Sequence, residues 1–477
     1  MNAFKERRSD VGNAKWFARL YGGQVRFVRE RGKWLVFAGT HWREDGDGAI
    51  ERMAKAAVDK MLDDLVDVPR DAREALFKHV LKSEQAPRIA AMLSLARSEP
   101  GMTIHEAMLD ADPMVLGVQR GAVDLRTGAF LFPKLTHYIT RRSAAEFNPH
   151  ATCPLWDAFI ARVTDADVTL AEFLQRAVGY SLTGDAREQC LFVAHGPGAN
   201  GKSVFLRVLR ELLGGYGSDA AIGTFVDRRS DAASNDLARL AGARFVCATE
   251  AEDGHRLAEA LIKRLTGGEA IAARFLFQEF VEFVPGFKVW LGVNHKPAIR
   301  GTDNGIWRRI RLVPFRVTIP DDEQDRELPT KLRHEFSGIL NWAIEGCLAW
   351  QRDGLRAPAS VSEATNAYRT EQDRLGEWIG ERCIVAPSVT EQASHLYADY
   401  RKWTEDRGES PLAMTNFGLR LGDREFKKVK RGVVRYHGIT LRDAWREQEA
   451  NNDPSPYHPS RENYTEKHPD LSNPPKH

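Results

Sequence analysis

"CLFVAHGPGANGKSVF", residues 190–205, decides the fold. An apolar run, Cys190 to Ala194, leads into three glycines, one lysine and one serine, and "VFLRVLRELL" follows. The run reads as a buried strand and the continuation as an amphipathic helix. Between them "GPGANGKS" fits the pattern G-x-x-x-x-G-K-[ST]. Gly196, Gly198 and Gly201 let the backbone turn tightly and aim N–H groups at phosphate oxygens. The helix that follows points its N-terminus at the same anion. Gly196, Pro197, Gly198, Ala199, Asn200, Gly201, Lys202, Ser203 and Val204 are therefore the expected ATP-binding loop. Lys202 suits the β- and γ-phosphates, and the Ser203 hydroxyl suits Mg²⁺.

A phosphate loop alone does not separate a kinase, a GTPase and a motor. A motor needs a second acid, and "ARFVCATEAED" supplies one: Phe245 to Ala248 read as a strand, with Glu250 and Glu252 after it. A carboxylate there can polarise the attacking water, and Glu250 can share the Mg²⁺ with Ser203. "FKVWLGVNH" is another apolar strand, ending in Asn294, whose amide can bond the γ-phosphate or the water. "GIWRRIRLVPF" then places Arg308 and Arg309 before a further strand. A guanidinium stabilises charge on the transferred phosphoryl group, and such an arginine often comes from a neighbouring subunit.

Together "GPGANGKS", "FVCATEAED", "IKRLTGGEAIAARFLFQEFVEFVP", "KVWLGVNHKP" and "GIWRRIRLVPF" resemble superfamily 3 helicases, in particular the helicase part of phage, plasmid and poxvirus-type primase-helicases. "SDVGNAKWF", "GKWLVFAGTHWRED", "LDADPMVLGVQRGAVDLRTG" and "CPLWDAFI" are similar to that family's region before the ATPase core. "LYADYRKWTEDRG" and the later basic hairpin resemble its C-terminal winged-helix segment. The resemblance implies an AAA+ core in a homo-hexameric ring, with single-stranded DNA in the channel and unwinding of forked DNA from 3′ to 5′. It makes Glu250 the preferred Walker B acid, Asn294 the sensor and Arg309 the preferred arginine finger, with Arg308 the other candidate. It also implies a DNA-contacting hairpin over Ala270–Val284, with Arg274 its one cation, and gives Lys263 a place facing the ATP or the DNA. That region starts within ten residues of Met1, so no polymerising domain is expected before it. A separate primase or polymerase is then a candidate partner. A non-unwinding AAA+ loader or remodeller is the alternative reading.

The rest of the chain is read from pattern and composition. Its 477 residues exceed one ordinary core, and 28% charged residues suit a globular protein. No run nears the roughly 20 apolar residues of a membrane helix, and residues 1–17 lack an apolar signal core. Five scattered cysteines without a CxxC pair argue against a zinc site or disulfide framework, and a cytoplasmic location is the expectation. With a net charge of +2, nucleic acid would have to be held by local patches. The expected order is an α+β domain over 1–150, a helical collar over 151–189, a mainly parallel α/β core with flanking helices over 190–327, and a helical segment over 328–389. A small winged-helix-like domain over 390–445 and a disordered tail over 446–477 follow. In "FKKVKRGVVRYHGITL" the cations Lys427, Lys428, Lys430 and Arg431 are candidate DNA contacts.

Overall fold

The computed structural model describes residues 7–227, 233–249, 255–274, 280–301, 304–408 and 411–443. Its centre is a five-stranded sheet, four of whose strands are the runs just quoted; the fifth, Gly217–Asp219, was not expected. The strands are β1 (Leu191–His195), β2 (Gly217–Asp219), β3 (Phe245–Thr249), β6 (Lys288–Val293) and β7 (Ile310–Pro314). A separate antiparallel hairpin, β4 (Ile271–Arg274) with β5 (Phe280–Phe283), interrupts the series. The sheet order is β7-β1-β6-β3-β2, and every pairing is parallel. All five carboxyl ends therefore lie along one edge, where ligands of open α/β sheets bind.

Both faces of this sheet are covered, which explains why β1, β3 and β6 are almost wholly buried rather than alternating. Phe192, Ala194, Phe245, Cys247, Trp290 and Val313 pack into one core with helix α1 (Lys202–Leu213). There Phe192 stacks on Trp290 at 4.2 Å and Phe205 stacks on Trp156 at 5.8 Å. Leu191, Val193, Val246, Val289, Leu291 and Leu312 face the other core, with helix α2 (Glu259–Gly267). Tyr368 of helix α3 (Ala359–Glu371) closes that core. Outside the cores, Glu211 on α1 accepts from Arg333 at 2.7 Å and Arg207 at 3.0 Å, which pins α1 to the helix Leu328–Arg333. These two guanidinium groups hold the Glu211 carboxyl down at about 2.

The expected boundary at residue 150 does not separate two cores. Strands Val115–Val118 and Gly121–Asp124 put Leu116, Val118 and Val123 into the same apolar cluster as α1. Backbone ties reinforce this: Arg244 donates to Val115 O at 2.7 Å and to Leu182 O at 2.8 Å, and Gly117 N donates to Tyr216 Oη at 3.0 Å. The earlier part, with helices Asp10–Tyr21, Ala49–Asp63, Arg70–Ser83 and Ala86–Ala96, has its own core around Trp16, Phe17, Val58 and Met92.

A second compact unit starts at Asp373. It contains helix Arg374–Arg382 and strand Cys383–Gln392, which fall in the expected 328–389 helical segment, then helices Ala393–Glu405 and Met414–Gly422 and strands Lys427–Arg431 and Val433–Leu441. The strand of 383–392 completes a three-stranded antiparallel sheet with the hairpin, so this is the winged-helix order α-β-α-α-β-β. Leu375, Trp378, Leu396, Tyr400, Phe417 and Ile439 form its core. The expected tail, 446–477, lies outside the described residues.

Candidate nucleotide site

The loop after β1 carries its chemistry in its backbone. Gly198, Ala199 and Gly201 have φ of 115°, 46° and 81°, a left-handed run that turns the chain into the N-terminus of α1. Glycine is required at two places for want of space as well. A Cβ on Gly196 would fall 2.1 Å from Phe315 O, and one on Gly201 2.5 Å from Val163 Cγ1. A Cβ on Gly198 would meet nothing within 4 Å, so that turn faces outward. The segment after β7 holds the loop in place: Phe315 N donates to His195 O at 2.8 Å and Ile319 N to Ala199 O at 2.7 Å. Asn200 adds a third tie, its Nδ2 donating to Phe315 O at 3.2 Å.

Lys202 is buried at the first turn of α1, beside an exposed Ser203 and a half-buried Val204. Its ammonium donates to Gly196 O at 2.7 Å, Asn200 Oδ1 at 2.9 Å and Asn294 Oδ1 at 3.1 Å. None of these acceptors carries a charge, and burial pushes the Lys202 ammonium down to about 8. The donors and dipoles of this loop fit a polyphosphate: compact, cationic and backed by a helix N-terminus. Asn294 stands at the exit of β6, the strand next to β1, which is how residues 92 apart in sequence meet.

Beside the loop is a cavity of about 270 Å³ with an apolar floor of Leu312, Pro314 and Ala364. His195, Pro197, Lys296 and Arg316 stand at its wall. Burial, with Lys296 and Lys202 nearby, keeps the His195 imidazole below its usual pKa. Lys296 is held by Glu371 at 2.6 Å, and Ile299 N donates to Gln372 Oε1 at 3.0 Å. The segment leaving Asn294 is thus tied to the last residues of α3. Sequence reading missed this cavity. Its one local signal is "NHKP", a cation two residues after the sensor-type asparagine.

The two arginines part company. Arg309 is buried, and its guanidinium donates to Thr266 Oγ1 at 2.9 Å and to Gly305 O. Arg308 is exposed, with a bond to Gln189 Oε1 at 2.9 Å. Glu250 and Glu252 lie outside the described residues, as does the hairpin tip at 275–279. Arg274 is exposed on β4, opposite Phe280, and Lys263 is half-buried on α2. Lys427, Lys428 and Lys430 are exposed on the strand that Arg431 ends, in the other unit.

Fold and loop together define a P-loop α/β protein, with the strand order β7-β1-β6-β3-β2 and the phosphate-binding pattern after β1, between β7 and β6. Residues 14–165 match the family described as "D5 N terminal like", and residues 194–309 match a family of unknown function (DUF5906). The chain is 26% identical over 332 residues to a protein of Acanthamoeba polyphaga mimivirus named "Putative helicase", covering 64% of this chain and 34% of that one. It is 28% identical over 268 residues to a "Putative helicase" of Frog virus 3 (isolate Goorha), covering 52% and 27%. It is 26% identical over 330 residues to a "Putative primase" of African swine fever virus, covering 62% and 34%. The chain thus spans about a third or less of the length of these relatives. The solved apo structure of the NrS-1 C terminal region shares its fold, with a TM-score of 0.50 at 10% identity over 90% of this chain and 99% of that one. The two matched regions in series, with these relatives, make the chain similar to the viral D5-like helicases and primases.

Proposed function

We propose that this chain is an ATP-driven DNA helicase of a mobile element, acting as a homo-hexameric ring on single-stranded DNA and opening forked duplex from 3′ to 5′. The observation that carries the reading is the contact of Lys202 Nζ with Asn294 Oδ1 across the tips of two neighbouring parallel strands. It brings the phosphate-loop cation and the sensor amide to one point, the arrangement needed for hydrolysis coupled to movement. Relatives named as helicases and primases, and a shared fold, support it.

In this reading the loop N–H groups and Lys202 hold the β- and γ-phosphates. Lys202 gives up neutral acceptors for anionic ones, so its ammonium keeps its proton once the triphosphate is seated. The adjoining cavity takes the base against Pro197 and Leu312. The Asn294 amide, released from Lys202, orients the attacking water. Ser203, with Glu250, would hold Mg²⁺, which neutralises charge between the phosphates. Arg308 is the residue that reaches a neighbouring copy, because it is exposed while Arg309 is committed to Thr266 inside its own chain. The test is a forked-DNA displacement assay with wild type and Lys202→Ala. The expected result is ATP-dependent displacement by wild type alone. Hydrolysis without displacement would replace this reading with a loader or remodeller, and no hydrolysis at all would end both.

A further inference from the structure

The stretch 295–301, which follows Asn294, forms neither helix nor strand apart from one isolated bridge between Ala298 and Arg256. Two neighbouring segments hold it instead. On one side Tyr368 of α3 donates through its hydroxyl to Pro297 O, and Gln372 accepts from Ile299 N at 3.0 Å. On the other side lies the chain that enters α2. Ala298 N donates to His255 O at 2.8 Å, and Leu257 N donates to Ala298 O at 3.0 Å. Glu259, the first residue of α2, closes this second series: its Oε1 accepts from Arg300 N at 2.8 Å and from Gly301 N at 2.9 Å.

Two successive N–H groups thus converge on one carboxylate oxygen, and charge-assisted bonds of this kind are about twice as strong as neutral ones. One oxygen reaches both donors only while residues 300 and 301 keep one orientation toward α2. Gly301 is held on its carbonyl side as well, where Trp307 Nε1 donates at 2.7 Å. Helix α2 is a firm support, because Arg309 binds its far end at Thr266.

The consequence falls on Asn294. Its amide is exposed at the open end of β6 and meets Lys202 at 3.1 Å, so its aim depends on how the chain leaves the sheet. We infer that Glu259 is a positioning residue for hydrolysis: by fixing residues 300–301 against α2 it holds the Asn294 amide on the phosphate site. The inference rests on the reading of Asn294 as the group that orients the attacking water. It requires an effect on rate without one on affinity, since the bonds of Glu259 go to residues 300 and 301 and not to the loop from Gly196 to Ser203.

The experiment compares steady-state ATP hydrolysis by the full chain in wild type, Glu259→Ala, Glu259→Gln, Asn294→Ala and the double variant Glu259→Ala with Asn294→Ala. Each rate is divided by the folded fraction read from thermal melting. Asn294→Ala should lower kcat by about 10²-fold. Glu259→Ala should lower kcat by about tenfold, with KM for ATP within about twofold of wild type. Glu259→Gln keeps an oxygen acceptor in the same place and should restore most of the rate. In the Asn294→Ala background, Glu259→Ala should cost nothing more, because the amide it positions is gone. Where the alanine variant does not fold, Glu259→Asp, one methylene too short to reach both donors, takes its place in the same cycle. A purely structural Glu259 would cost the same factor in both backgrounds, and that result overturns the inference. So does wild-type kcat in Glu259→Ala, a loss that appears only in KM, or glutamine no better than alanine. Wild-type kcat in Asn294→Ala would bring down the reading of Asn294 itself, and the inference with it.

Discussion

Lys202 and Lys288 are buried amines at opposite edges of one parallel sheet. Each makes three hydrogen bonds to uncharged acceptors, and burial lowers the pKa of each, that of Lys288 well below its ordinary value. Lys288 opens β6 and donates to Thr183 O at 2.6 Å, Thr183 Oγ1 at 3.2 Å and Gly286 O at 3.1 Å, under the ring of Tyr180 at 4.4 Å. Lys202 sits at the carboxyl edge, and one of its acceptors is the exposed amide just beyond the same strand. The difference teaches that a buried, depressed lysine is not by itself a site. A site also needs acceptors that can be exchanged, at the edge where the strands end. Lys288 has neither and serves as a clasp between β6 and the turn before β1.

This contrast can be broken in order of effect. Lys202→Ala should lower ATP hydrolysis by about 10³-fold or more, with thermal stability changed by less than about 1 kcal/mol, read from steady-state kinetics and melting of the same preparation. Arg308→Ala should cost about 10²- to 10³-fold in kcat, and mixing it with the Lys202→Ala chain should restore part of the activity, because each supplies what the other lacks. Arg309→Ala should lower stability instead and show no such rescue. Lys288→Met should lose about 2–4 kcal/mol of stability by orphaning the Thr183 and Gly286 carbonyls, while kcat per folded molecule stays unchanged. A large kcat loss there would erase the distinction between the two lysines.

Two pH measurements sharpen it further. In the free protein Lys202 carries its proton below about pH 8 and loses it above. Triphosphate binding needs that proton, so affinity should be flat below pH 8 and then fall by up to tenfold per unit as pH rises. Titration of a fluorescent ATP analogue checks this, and Lys202→Ala should abolish the slope. The smallest effect belongs to Glu211. Its folded pKa is depressed to about 2, so its contribution is present above the ordinary carboxylate value near 4.5 and lost as pH falls toward 2. Glu211→Gln should cost about 1 kcal/mol at pH 7, discounted for the exposure of Arg207 and Arg333, and nothing below pH 2.

Four of the five strands were legible because they are short, mostly apolar runs, which only a doubly covered sheet tolerates; the edge strand Gly217–Asp219 has no such run. The phosphate loop was legible because its glycines leave a spaced signature. Three further things were not. Strands 115–124 look like part of a separate domain, since nothing local shows that Leu116 and Val123 pack against α1 rather than against their own helices. The unequal fates of Arg308 and Arg309 were equally invisible: adjacent residues after a short helix face opposite ways, and only the position of Thr266 decides which one is spent. The strand Cys383–Gln392 was lost among helices because its burial alternates irregularly around a register shift between Val385 and Thr390.

The ties around Lys296 have a mechanical consequence. Glu371 and Gln372 are the final residues before the second unit begins, and both are gripped by the short stretch that leaves Asn294. The segment leaving β6 and the last residues of the first unit therefore share one anchor point. Within the first unit, the exit of β6 and the end of α3 are thus stapled together, so that neither can move without pulling on the other.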